Sequence, residues 1–187
     1  WAKYSQIVGR DYVSGAMENT TATLHQESAY QNARELKDGN GWESVIAHEL
    51  FHQWFGDLVT CESWSHITVN ESFANYSEYL WYEYKYGKDK ADAHNFDDMQ
   101  GYLFSGGESK DLVRFYYADK EDVFDGVSYN KGGRILNMLR NYVGDEAFFK
   151  SLNYYLTNNK FKSGEAGLLR LAFEEVTGKD MNWFWDQ

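Results

Sequence analysis

The sequence contains a single cysteine, no proline and few basic residues for its length. Cys61 alone cannot form an internal disulfide, so this sign of a secreted protein is missing and the compartment stays open. No hydrophobic run approaches the roughly 18 residues of a membrane helix, and no signal peptide opens the chain. The formal net charge of −11 argues against a nucleic-acid-binding protein, which usually has a basic face. The sequence offers no physical reason for the absence of proline.

Hydrophobic residues make up 43% of the chain and aromatic residues 18%, which indicates a folded domain with a sizeable core. We interpret the acidic balance mainly as a solvated surface, although it also suits a cleft that attracts a peptide amino terminus. Trp1 enters a strand-like run directly, and residues 182–185 end the chain within an apparent helix. We therefore expect the chain to be a piece of a longer protein.

Strand-like patterns come first in the chain. Alternating residues predict a strand over 4–13, a Thr-rich stretch predicts another over 20–23, and residues 38–41 predict a turn. Together these patterns indicate a small sheet over residues 1–41.

Helical patterns follow the sheet. Apolar residues at helical spacing predict a helix over 42–55 that Gly56 ends. Asn70 is expected to cap a second helix, which continues to about Tyr86 and stops at Gly87. Further helices are predicted over 89–104, 128–143, 145–158 and 165–177, with loops at 106–107 and 119–125. We therefore expect a single α+β domain over 1–187, in which residues 42–187 form a mainly helical portion.

The first predicted helix contains two histidines four positions apart. His48 and His52 differ by about 40° around a helix axis that turns by roughly 100° per residue, so both imidazoles leave the same face. They can bind one metal ion between them, and Glu49 can then reach a water molecule on the ion. The alternative is a pair of ordinary histidines on a helix.

A catalytic zinc ion needs a third protein ligand and keeps a fourth position for water. Glu71 opens the next helix, and an antiparallel helix pair would bring it beside His48 and His52. Glu78 is about two turns further along the same face. It is either a partner that fixes a ligand histidine or a solvated glutamate.

Four motifs occur in order along the chain. They are Gly15-Ala16-Met17-Glu18-Asn19, His-Glu-x-x-His-Gln-Trp-Phe-Gly over 48–56, Asn70-Glu71-Ser72-Phe73-Ala74 and Tyr129-Asn130-Lys131-Gly132. Eighteen residues separate His52 from Glu71. Together the motifs resemble those of the zinc aminopeptidases of the aminopeptidase N and leukotriene hydrolase type, which are gluzincins. Ser72 departs from the family's glycine, at a position that is not a ligand.

The resemblance implies one Zn²⁺ per chain, held by His48, His52 and Glu71, with Glu49 as the base. It implies that Glu18 binds the free amino group of a peptide substrate, with Glu71 facing the same amine. Tyr129 is implied to donate a hydrogen bond to the oxyanion. The remaining residues of the first motif (Gly15, Ala16, Met17 and Asn19) are implied to bind the peptide, and Glu78 matches a glutamate that is common in the family's second helix.

The implied fold is the thermolysin-like catalytic domain of these enzymes. Family members also have an amino-terminal β-domain and usually a carboxy-terminal helical domain, neither of which fits in this chain. We expect exposed aromatic residues where those domains would dock. Glu49 and Tyr129 argue against a non-catalytic domain of the same fold, and Glu18 argues against a thermolysin-like endopeptidase. Ala16 argues against the epoxide hydrolase activity of the leukotriene branch, which favours glycine there.

Overall fold

A computed structural model of the chain describes residues 1–186. Three strands form a small sheet at the amino-terminal end: β1 (Ser5–Gly9), β2 (Ala16–Met17) and β3 (Ala22–Gln26). β3 lies in the middle, parallel to β1 and antiparallel to β2. The short strand β2 is therefore at an edge of this sheet.

Each of the two predicted strands differs from the observed strand in where it begins or ends. The strand predicted over 4–13 stops at Gly9, since Asp11 has a φ of 53° that extended backbone does not allow. The strand predicted over 20–23 begins only at Ala22, because Thr21 has a φ of 62° and forms part of a turn. Turn geometry rather than β propensity decides both boundaries.

Helices α1 (Glu43–Phe51) and α2 (Thr68–Tyr86) form the centre of the fold. Glu43 at the start of α1 bonds to Lys85 and Tyr86 at the end of α2. At the other end, His52 follows α1 and lies beside Glu71 in the first turn of α2. The two helices therefore pack antiparallel, as the sequence predicts.

The helix predicted over 42–55 is shorter in the structure. α1 ends at Phe51, and residues 52–55 form turns in which the His52 N–H still donates to the His48 carbonyl over 3.3 Å. Gly56 has a φ of 143°, and a Cβ there would lie 3.1 Å from the His52 carbonyl oxygen. Glycine is needed at this position because backbone and imidazole approach it so closely.

The start of the second helix was also predicted wrongly. α2 begins at Thr68, so Asn70 lies inside its first turn and is not a cap. The Asn70 side-chain oxygen instead accepts a hydrogen bond from the Cys61 N–H over 3.1 Å. Gly87, with a φ of 88°, ends the helix as predicted.

The remaining helices follow the predicted order: α3 (Lys88–Leu103), α4 (Gly132–Val143), α5 (Asp145–Asn159), α6 (Ala166–Thr177) and the short α7 (Asn182–Trp185). A wide π-helical turn over Val127–Lys131 precedes α4 where one continuous helix was predicted. The predicted loop over 119–125 contains a single 3₁₀ turn, Lys120–Val123. The predicted α+β organisation is confirmed.

A second, two-stranded sheet was not predicted. Strand β4 (Val59–Cys61) pairs in parallel with β5 (Lys162–Gly164), far along the chain. A parallel pair needs a long connection, and here α2 to α5 supply it. β4 lies in the connection between α1 and α2, so its pairing with β5 fixes the position of this connection beside the two helices.

Aromatic residues occupy much of the core. The Phe55 and Phe73 rings stack with their centroids 4.1 Å apart, and the ring of the buried Tyr155 lies parallel to Phe55 with centroids 6.0 Å apart. Other aromatic side chains lie on the surface, among them Tyr84, Phe104 and Tyr116. That these exposed rings meet further domains of a longer protein stays a prediction. No helix within residues 1–186 combines the length and apolar character of a membrane span.

Candidate metal centre

Two histidines and a glutamate converge where the end of α1 meets the start of α2. The Nε2 atoms of His48 and His52 lie 3.3 Å and 3.4 Å from the same Glu71 oxygen, Oε2. One potential ligand atom from each of the three residues lies within 4.8 Å of the other two, and all three side chains are buried. The cluster could hold a metal ion.

The second nitrogen of each imidazole is already engaged. His48 Nδ1 lies 3.0 Å from Glu78 Oε1, and His52 Nδ1 lies 2.9 Å from the Phe55 carbonyl oxygen. Each ring donates its Nδ1–H to its own acceptor, so the Nε2 atom of each ring points towards Glu71 and can bind a metal ion. Two imidazole nitrogens and one carboxylate are a ligand set that catalytic zinc sites use, so these residues fit the ion.

Strong charge coupling links the three side chains of the cluster to one another and to Glu78. Burial opposes the charged form of His48, but Glu71 and Glu78 outweigh burial and raise the pKa of His48 to about 10. Burial likewise opposes the Glu71 carboxylate, but His52 and His48 lower the pKa of Glu71 well below its ordinary value. A metal that binds here must therefore displace a proton.

Glu49 projects beside this cluster from the same turn of α1 as His48. Its side chain is buried, and its Oε2 atom has no hydrogen-bond partner among residues 1–186. Burial raises the pKa of Glu49 to about 7; Glu18 and Glu71 add to the rise, and the two histidines oppose it. A carboxylate with this pKa can both accept and return a proton near neutral pH.

Tyr129 approaches the cluster from the π-helical turn. Its ring stacks on the His48 imidazole with centroids 5.8 Å apart and an angle of 13° between the planes. Burial, followed by the charge of Glu71, raises the pKa of Tyr129 above its ordinary value, so its hydroxyl keeps its proton. Asp125 fixes the turn, since its Oδ1 accepts from the N–H groups of Val127 and Ser128 over 3.1 Å and 3.3 Å.

The segment over 15–19 reaches the same cleft only in part. Ala16, Met17 and Glu18 line the cleft, whereas Gly15 and Asn19 do not. The Gly15 carbonyl accepts from the Gln26 N–H over 2.9 Å, and the Asn19 carbonyl accepts from the Ala22 N–H over 2.7 Å. These bonds place Gly15 at the sheet edge and Asn19 in the turn, and the binding of a peptide by all five residues stays a prediction.

The cleft over the cluster has a volume of about 800 Å³. Besides the candidate site residues, it is lined by acidic side chains and by an aromatic pair, Trp64 and Phe124, with ring centroids 5.7 Å apart. The acidic members outside the metal cluster include Asp57, Glu62 and Glu121. A cleft of this charge favours a cationic group over an anionic one.

Sequence reasoning missed several residues that support the centre. Gln53, next to His52, connects α1 to the segment over 15–19. His94 of α3 and Asp98 one turn later lie behind Glu78. The spacing of His94 and Asp98 on a predicted helix is visible in the sequence, but no local signal tells which helix that face meets.

The fold and the donor set together define a metallopeptidase-like helical domain. Residues 1–187 match the Peptidase family M1 domain, and the chain belongs to peptidase family M1. It is 32% identical over 187 residues to Aminopeptidase M1 of Arabidopsis thaliana, covering 96% of this chain and 21% of that protein. It is also 32% identical to Aminopeptidase N of Streptomyces lividans, over 96% of this chain and 22% of that protein.

Solved structures agree with this assignment. An M1 zinc metallopeptidase from Deinococcus radiodurans superposes with a TM-score of 0.78 at 27% identity, over 98% of this chain and 38% of that one. Native leukotriene A4 hydrolase from Saccharomyces cerevisiae superposes with a TM-score of 0.84 at 26% identity, over 100% of this chain and 30% of that one. The chain spans about a fifth of the length of the curated relatives it matches.

Proposed function

We propose that this chain forms the zinc-holding part of an aminopeptidase that hydrolyses the first peptide bond of peptides with a free amino terminus. One observation carries the proposal: Glu18 opens into the same cleft as the cluster of His48, His52 and Glu71. A carboxylate beside the metal site gives an ammonium group a partner next to the bond that is cleaved. Membership of peptidase family M1 supports this activity.

The chemistry assigned to the cluster follows from its ligand set. One Zn²⁺ per chain, when bound by His48, His52 and Glu71, lowers the pKa of a water molecule towards neutrality and polarises a carbonyl group. Glu49 takes a proton from the attacking water while the water oxygen bonds to the carbonyl carbon. Glu49 then returns that proton to the peptide nitrogen as the carbon–nitrogen bond breaks. No covalent bond to the protein forms at any stage.

Two further residues act on the substrate in this proposal. Tyr129 donates its hydroxyl hydrogen to the oxyanion that develops on the carbonyl oxygen, as an oxyanion-hole donor does. Glu18 pairs with the substrate ammonium, which an internal peptide bond does not bring. Ala16 and Met17 belong to the edge strand β2, and a peptide can line up along such an edge.

We also propose that residues 1–187 act as one catalytic domain within a longer protein. In this proposal an amino-terminal β-domain adds contacts near the substrate amine, and a carboxy-terminal helical domain covers part of the exposed aromatic surface. The fraction of each relative that the chain covers supports the existence of further domains in those relatives.

A comparison of free and blocked peptides tests the function. The full-length protein is assayed on aminoacyl chromogenic amides and on their N-acetylated counterparts. Loss of a charge-assisted hydrogen bond of roughly 1.5–3 kcal/mol lowers kcat/KM for the acetylated forms by at least about tenfold. Glu18→Gln should bring the ratio of kcat/KM for free over acetylated substrates closer to one. Glu108→Gln, which removes the charge of an exposed glutamate outside this cleft, should leave the ratio of kcat/KM for free and acetylated substrates unchanged.

The outcomes separate the alternatives. Equal kcat/KM values for free and acetylated substrates would make the protein an endopeptidase with the same metal ligands. Protein that hydrolyses neither form while it holds zinc would be a non-catalytic member of the fold. If Glu18→Gln leaves the ratio of kcat/KM for free over acetylated substrates unchanged, Glu18 does not recognise the amine.

A further inference from the structure

A line of buried charged side chains runs from the metal cluster into the helices behind it. Glu78 of α2 contacts His48 with one carboxylate oxygen and His94 of α3 with the other, over 3.0 Å and 3.2 Å. His94 Nε2 also lies 3.8 Å from Asp98 Oδ2. Asp98 in turn pairs with Arg134 of α4 over 3.1 Å. Negative and positive groups therefore alternate across three helices.

Water screens these charges little. The side chains of Glu78 and Asp98 are each 14% exposed, that of His94 is 19% exposed and that of Arg134 is 11% exposed. A buried carboxylate without a partner is costly, so Glu78 needs a compensating group besides His48. A His48 ring bound to a metal is neutral, which leaves His94 as the nearest cationic partner of Glu78.

His94 and Glu78 attract each other through their charges, without an aligned hydrogen bond between them. The His94 Nε2 atom has no aligned hydrogen-bond acceptor among residues 1–186, although two carboxylate oxygens lie close to it. The His94 ring is instead held by an edge contact with Tyr82, with centroids 4.9 Å apart. A ring fixed in this way presents its charge to Glu78 at a set place.

Asp98 is the best-anchored member of the line. Its Oδ2 accepts from Asn75 Nδ2 over 3.1 Å, and its Oδ1 accepts from Asn130 Nδ2 over 3.1 Å. Arg134 donates to the Asn95 carbonyl over 3.0 Å and to the Asn75 side-chain oxygen over 3.2 Å. Because Asn130 adjoins Tyr129, the same anchor also steadies the turn that carries Tyr129.

We propose that His94 is a positioning residue for the metal centre: it holds the Glu78 carboxylate against His48, and Asp98 and Arg134 hold His94 in place. The inference rests on the proposed zinc site. Groups that orient a ligand histidine typically change metal affinity by 10–100-fold when they are removed. An ordinary buried ion pair would instead affect folding without changing how the folded protein holds the metal.

Zinc affinity of the full-length protein separates these two roles. The zinc Kd is measured by competition with a chromogenic chelator for the wild type, His94→Phe, His94→Gln and Lys88→Ala. His94→Phe keeps an aromatic ring of similar volume beside Tyr82 but removes both nitrogens. His94→Gln keeps an N–H donor without a positive charge. Lys88→Ala removes an exposed ion pair with Asp92 on the same helix and is the matched control.

We expect the zinc Kd to rise by about tenfold or more in His94→Phe and by about threefold or more in His94→Gln. Lys88→Ala should stay within twofold of the wild type. With zinc saturating, kcat should fall in both His94 variants, while KM for an aminoacyl amide should change less than twofold. If His94→Phe does not fold, the zinc Kd of His94→Gln shows whether His94 positions the metal centre.

An unchanged zinc Kd in a folded His94 variant overturns the inference and leaves the proposed function intact. A wild-type protein that binds no zinc would instead refute the proposed function. Equal weakening of zinc binding in Lys88→Ala and the His94 variants would also overturn the inference, because it would show a general loss of stability in α3.

Discussion

The Gln53 side-chain amide donates a 2.8 Å hydrogen bond to the backbone carbonyl of Glu18. Its Oε1 atom accepts a second bond from the Thr21 N–H over 2.7 Å, and the Gln53 side chain is buried. Gln53 follows His52 directly in the chain. The candidate amine-binding residue is therefore tied to the helix end that carries the candidate metal ligands.

Gln53→Leu tests whether this tie aligns the substrate. The variant keeps the approximate volume of the side chain but leaves two partly buried backbone groups, the Glu18 carbonyl and the Thr21 N–H, without their partner, which costs about 1–3 kcal/mol of unfolding free energy. We expect KM for aminoacyl amides to rise more than kcat falls, with zinc content unchanged. Gln100→Leu, on an exposed face of α3, is the matched control. A KM equal to that of the wild type would show that Glu18 holds its place without Gln53.

Glu49→Gln should remove nearly all turnover and keep the metal. The amide cannot accept a proton from water, and loss of a general base typically lowers kcat by about 10²–10⁴-fold. Metal analysis of the purified variant should show the zinc content of the wild type, since Glu49 is not among the clustered ligand residues. Normal turnover in this variant would refute the role of Glu49, and loss of zinc would place it in the ligand set.

Tyr129→Phe should lower kcat by about 10²–10³-fold, the usual effect of removing one oxyanion donor. KM should change little, because the phenylalanine ring can keep the stack on His48. Steady-state kinetics on one aminoacyl amide measures both constants. Tyr154→Phe, which removes the hydroxyl of a 42% exposed tyrosine, should behave as the wild type. Equal kcat values for the two variants would remove Tyr129 from the mechanism.

Zinc binding should release protons and weaken as the pH falls. Against the effect of burial, Glu71 and Glu78 raise the pKa of His48 from 6.5 to about 10, so its imidazole keeps a second ring proton at neutral pH. Zinc must displace that proton, and the apparent Kd therefore rises as the pH is lowered from about 8 to about 6. Calorimetric titrations in buffers of different ionisation enthalpy count the protons. A Kd that is level over this range would contradict the coupling between His48 and its two glutamates.

The sequence was sufficient to predict the centre of the fold. Helical periodicity placed His48 and His52 on one face, and a short connection made the next helix antiparallel, which brings Glu71 to both rings. Glu78 could be placed on the same side as Glu71 because it lies about two helical turns further along the same helix. Each of these inferences needs only local geometry and one reversal of direction.

Features that depend on distant partners could not be predicted in this way. The register of α3 against α2, which brings His94 to Glu78, is set by packing across the whole helix pair. The π-helical turn at Tyr129 begins with N–H groups that donate to Asp125, and the more distant Arg114 and Lys110 hold that carboxylate in place. Asn70 was misread as a cap because its actual partner, Cys61, lies on an unpredicted strand.

The pairing of β4 with β5 sets an order of events during synthesis. Val59 pairs with Lys162, roughly a hundred residues later in the chain. The ribosome must therefore release the chain as far as Lys162–Gly164 before β4 meets its partner, and until then the backbone donors and acceptors of β4 are free to pair wrongly. The Cys61 N–H of β4 donates to the Asn70 side chain beside the ligand Glu71, so the β4–β5 pairing adjoins the candidate metal centre. A nascent chain stalled before Lys162 should consequently bind zinc poorly even though every ligand has already emerged.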